Sequence, residues 1–131
     1  MSPADARATS DVAEIRRHAD SHRLIAGRRW RVSDPGLDES VRQHLVDELM
    51  DARRGVKAAL SRFDEQAERL ARARVNDAKV ALGERGPKWW EPTTADDDEI
   101  RTNAFIRSIG DRLGGVDAEQ AAALLHLHAS S

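Results

Sequence analysis

Two clusters hold the residues best suited to chemistry. Arg28-Arg29-Trp30-Arg31 sets three guanidinium groups around one indole, and Trp89-Trp90 adds two more indoles. Guanidinium groups grip phosphate and carboxylate through paired N–H donors and stack on aromatic faces. In an extended strand Arg29 and Arg31 share one face and Trp30 takes the other. Arg29 and Arg31 therefore suit either a phosphate contact or the solvated outer face of a ribbon. Trp30, Trp89 and Trp90 suit either an aromatic ligand platform or a plug where a ribbon meets helices. The plug is the preferred reading, with an Arg of the 28–31 run over an indole face. A fully exposed Trp pair is costly, so at least one ring of Trp89 and Trp90 is expected to be buried.

The remaining candidates are weaker. His18 and His22 are four apart and share a helical face, but no third metal ligand accompanies them. His126 and His128 are two apart, which splays them by roughly 200° on a helix. Asp96-Asp97-Asp98-Glu99 reads as an acidic helix start. The sequence has no Gly-x-Ser-x-Gly, no phosphate loop and no HExxH. It has no Cys, which excludes disulfides, zinc–thiolate sites and thiol catalysis. No catalytic residue, metal site or cofactor is expected.

The elements that position these residues are mainly helical. A length of 131 residues suits one domain with an appendage. Hydrophobic residues make up 40%, but many are alanine, so the core is lean. Charged residues make up 34% with a net charge of −2, which argues against a protein that coats nucleic acid. No basic-then-apolar leader opens the chain, and no run approaches the ~20 apolar residues of a membrane span. The expected location is the cytoplasm, without membrane contact.

Residues 1–22 read as a helix with a cap at Ser10 or Asp11. Leu24-Ile25 and Trp30-Arg31-Val32 flank Ala26-Gly27-Arg28 and read as a small β-hairpin, with the Trp30 and Val32 face expected to be buried. Asp34-Pro35-Gly36 ends it. A helix from Asp38 carries the stripe Val41, Leu45, Leu49, Ala52, Val56 and Ala59; a second stripe runs Ala67, Leu70, Ala71, Val75, Ala78 and Leu82. One helix over 38–82 would be a rod of roughly 65 Å. An antiparallel helical hairpin is preferred, with Ser61 and Asp64 as a capping-box-like pair at the turn. Gly83 is a natural C-cap and Pro87 blocks continuation. After a polar linker, a helix begins near Asp96–Asp98 with Ile100, Phe105, Ile106, Ile109 and Leu113, and Gly114-Gly115 ends it. Asp117 caps a last helix with Leu124 and Leu125, which suit either a partner's groove or packing on the hairpin. The expected fold is mainly α: an antiparallel helical hairpin, a small N-terminal β-hairpin and additional C-terminal helices. The expected units are 1–92, the helical domain, and 93–131, an acidic linker with a helical appendage.

Two stretches carry a family resemblance: Gly27-Arg28-Arg29-Trp30-Arg31-Val32-Ser33-Asp34-Pro35, and the segment from Ala78 through Gly83-Glu84-Arg85-Gly86-Pro87-Lys88-Trp89-Trp90-Glu91. Over about residues 24–92 the chain resembles a family of short actinobacterial proteins often labelled "biopolymer transporter Tol". The resemblance implies no activity and carries over no site residues. It implies a Gly in the turn between the helices, where this chain has Ser61-Arg62-Phe63-Asp64. The functional expectation is a non-enzymatic interaction or accessory protein, using amphipathic helix faces to pair with itself or with a protein partner. The alternative is a weak nucleic-acid-binding module that uses the Arg-rich ribbon 28–31.

Overall fold

The computed structural model describes residues 12–127. It is mainly helical, with one small antiparallel ribbon. In order come α1 (12–18), β1 (His22–Ile25), β2 (Arg28–Arg31), α2 (Glu39–Ser61), α3 (Glu65–Leu82), α4 (Ala95–Ile109) and α5 (Ala118–Leu124). The expected cap at Ser10 or Asp11 lies outside the described residues, as does His128.

The ribbon forms because Ala26 and Gly27 both take positive φ, 51° and 80°. That pair of angles makes the tight two-residue turn whose twist matches the strands. His22 then pairs with Arg31, Arg23 with Trp30, Leu24 with Arg29 and Ile25 with Arg28. The sequence puts Trp30 on a buried face; instead it is 43% exposed, and Leu24 and Ile25 are exposed too. The ribbon is held at its base, by the Val32 N–H donating to Ser21 O and by Arg31, not by a face laid flat on the helices.

Residues 39–82 make two helices. The break comes at Arg62-Phe63-Asp64, and the cap is Asp64, whose side chain accepts from Ala67 N at 3.0 Å. Ser61 does not cap α3; its hydroxyl donates back to Ala58 O. The α2 stripe is buried at Val41, Leu45, Leu49, Ala52 and Ala59. Gly55 lets the two helices approach closely, since a Cβ there would lie 3.3 Å from Ala71 Cβ. On α3, Ala71, Ala78 and Leu82 are buried, while Leu70 turns outward.

A reciprocal Thr94–Asp97 capping box starts α4, and an Asp117–Gln120 box starts α5. Phe105, Ile109, Ala121 and Leu125 join the same buried cluster as Val41, Leu45, Leu49 and Leu82. The segment after 92 is thus part of the core, not an appendage, and Leu125 is sealed within it while Leu124 packs beside it. The reason is area: two alanine-rich stripes leave a trough that Phe105, Ile109 and Leu125 fill, each contributing about 1.5–3 kcal/mol. Among the described residues, no helix is long and apolar enough to cross a membrane.

Candidate functional site

The tryptophans and arginines singled out in the sequence meet where the ribbon joins the helices. Trp89 is buried and its Nε1 donates to Val32 O at 2.9 Å. Trp90 stands edge-on to Trp89 and to His22, at centroid distances of 5.3 and 5.2 Å. The Arg31 guanidinium lies 5.0 Å from the Trp90 ring centre. It donates to the carbonyls of Gly83, Gly86 and Pro87 at 2.9–3.0 Å. Burial pushes Arg31 down from its ordinary value, against the opposing charge of Glu84. These contacts make Trp89, Trp90 and Arg31 a plug at the foot of the ribbon. Trp30 does not join it; Arg28 lies over its ring at 5.0 Å on the opposite face of the ribbon. Arg29 is exposed farther out along the ribbon, opposite Leu24.

Behind the plug sits a residue that the sequence marked only as a turn former. Asp34 is 1% exposed. Its carboxylate accepts two hydrogen bonds from Arg16, one from Gly36 N at 2.8 Å, and an ion pair with Arg101 at 3.0 Å. Arg101 is itself buried and donates to Ala81 O, while Arg16 reaches the carbonyls of Leu125 and His126. Burial alone would raise the Asp34 pKa. The Arg16 hydrogen bonds, the charges of Arg101 and Arg16 and the Gly36 N–H outweigh it, so the group titrates below the usual carboxylate range. This knot ties α1, α3, α4 and the end of α5 to one carboxylate, and all its partners are spent internally.

The other end of the molecule is different. Arg107 pairs with Asp77, and Arg112 with Glu48 and Asp51, which marks how far the C-terminal helices reach along the hairpin. Residues 53–73 extend beyond those contacts as a bare helical pair. There Leu60 is 50%, Leu70 63% and Phe63 92% exposed. Phe63 also takes φ +56°. The Phe63 N–H donates to Leu60 O and the Asp64 N–H to Ala59 O, the paired bonds of a Schellman stop. That left-handed position belongs to Gly in most helices, as it does at Gly83 and Gly114 here. Arg53, Arg54 and Lys57 line the α2 side of this bare end and Arg62 its turn, while the α3 side mixes Asp64, Glu65 and Glu68 with Arg69 and Arg72. Arg54 and Arg72 already pair with Asp51 and Glu68. The one hint in the sequence was the resemblance, which implies a Gly in the turn where this chain has Ser61-Arg62-Phe63-Asp64.

Among the described residues no group of three His, Cys, Asp or Glu is placed to hold a metal ion. His126 instead lies 3.3 Å from Asp38. Searches against protein families, curated proteins and solved structures return no match to this chain.

Proposed function

We propose that this chain is a non-enzymatic interaction protein that associates with a second copy of itself through the bare end of the α2–α3 hairpin. Phe63 carries the proposal. It occupies a backbone position that costs a non-glycine residue about 1 kcal/mol, and its ring gains no burial within the chain in return. Covering that ring with Leu60 and Leu70 of a second copy supplies the missing compensation. The charges allow this pairing: in a two-fold contact Arg53 and Lys57 of one copy, which make no ion pair among the described residues, meet Asp64 and Glu65 of the other. Three apolar side chains give less contact than the ~1,600 Å² of a standard stable interface, so the association is weak and concentration-dependent.

Light scattering coupled to size exclusion, run from micromolar to millimolar chain, tests the proposal. The expected result is an apparent mass that rises toward a dimer and falls back in Leu70→Glu and Phe63→Gly. A wild-type chain that stays monomeric throughout, or variants that pair as the wild type does, would overturn it. Kinship with the short actinobacterial family over residues 24–92 is a separate proposal that leaves this test unchanged.

A further inference from the structure

The ribbon face that carries Trp30 does not seal against the helices; it forms one wall of an open cleft of about 530 Å³. Ile25, Trp30 and Val32 provide the apolar side. Across from them, α2 and α3 supply Arg53 and Lys79, and β1 adds Arg23 at the rim. Among the described residues, none of these three cations makes an ion pair. Glu84, whose carboxylate accepts from the Ser33 hydroxyl at 2.7 Å, lines the same cleft and offsets part of their charge, but the cations outnumber it. Lys79 Nζ lies 5.8 Å from the Trp30 ring centre, so positive charge and an indole face are held side by side.

We infer that this cleft binds a small organic anion with a flat body, of the mononucleotide class. The volume lies within the ~300–1,000 Å³ usual for small-molecule sites. A neutral ligand leaves the unpaired cations unanswered, and a bare inorganic anion leaves the half-exposed indole uncovered. A ring beside Trp30 with a phosphate between Lys79 and Arg53 satisfies both walls. Burial, then the charge of Arg85, push the Lys79 ammonium below its ordinary value; Glu84 opposes them and Arg53 adds to them. A bound anion offsets that unfavourable environment. The inference does not depend on self-association, because the cleft and the bare end of the hairpin share only Arg53.

Titration of the isotope-labelled chain with adenosine monophosphate, followed through the indole N–H signals and amides, is the test. Adenosine, inorganic phosphate and a short single-stranded oligonucleotide serve as the other probes. The expected result is a saturable shift of the Trp30 indole and of the Lys79 amide. Lys79→Gln and Arg53→Gln should each weaken binding about tenfold, the loss expected for one charge-assisted contact. Arg53 is exposed, so its variant keeps the fold even if Lys79→Gln does not. Adenosine and phosphate should each bind at least tenfold more weakly than the nucleotide. Absence of any Trp30 shift at millimolar nucleotide would overturn the inference. So would equal binding of phosphate alone, binding unchanged in both variants, or binding of the oligonucleotide only.

Discussion

Asp34 has nowhere to exchange its charge with water, so its two arginine partners decide whether it can exist at all. Asp34→Asn keeps the shape but leaves Arg16 and Arg101 facing a neutral amide. Breaking a buried ion pair from one side costs about 3–5 kcal/mol, and urea unfolding at neutral pH should show a loss of that size. Because the folded-state pKa lies below the unfolded one, the Asp34 contribution is complete above the unfolded value of about 3.9. It is lost as pH falls through the folded value. The wild type should therefore weaken on acidification below pH ~4, and Asp34→Asn should lose less over that same step. Phe63 gives the opposite sign. Phe63→Gly relieves the left-handed strain and should stabilise by about 1 kcal/mol, or roughly 3–6 °C in Tm for a chain of this size. A variant that melts later yet no longer pairs would identify Phe63 as retained for association rather than for folding.

Helix ends separate local backbone cost from tertiary contact. Gly83 and Gly114 both close helical turns at nearly the same φ, +86° and +83°. A Cβ on Gly83 would lie 2.8 Å from Trp89 Cδ1 and 3.2 Å from Asp34 Cβ; one on Gly114 meets nothing within 4 Å. Gly114→Ala should therefore cost about 1 kcal/mol from conformation alone. Gly83→Ala should cost a further 1–3 kcal/mol or so, because the plug must shift. Thermal melts of the two variants, compared directly, check the difference. The same element logic explains Arg31. Its guanidinium sits at the C-terminal end of α3, where free carbonyls and the negative end of the helix dipole favour a cation.

For the whole molecule, the C-terminal helices complete the core and clamp only one end of the hairpin. A chain cut after residue 92 loses Phe105, Ile109 and Leu125 from the buried cluster and Arg101 from Asp34. It should show no cooperative thermal transition by circular dichroism, although the resemblance over residues 24–92 stops near that cut. Coverage of one end also leaves the other end bare, which is why the proposed contact falls at residues 60–70 and not at the tryptophans. The cleft beside the ribbon arises from the same economy: the ribbon is anchored at its base, so its Trp30 face stands away from α2 and α3.

The sequence by itself determined most of the elements, although the helix expected up to His22 stops at His18 and His22 opens β1. Gly83 as a stop and Asp117 as the start of α5 were legible because such signals act within a few residues. Two helices over 38–82 are preferred to one on sequence, but the structure decided it, with Asp64 and not Ser61 as the cap. The sequence also required at least one ring of Trp89 and Trp90 to be buried, since exposed indoles are costly, and Trp89 is. Only the tertiary structure decided which partners those elements meet. The pairing of Asp34 with Arg16 and Arg101 spans separations that no local pattern encodes. The turn between Ser61 and Asp64 was legible, but not its left-handed Phe63, because the angle depends on how α2 unwinds. The ribbon was legible too. Its expected buried face was not buried, because alternation says which side chains share a face and not how closely that face is approached.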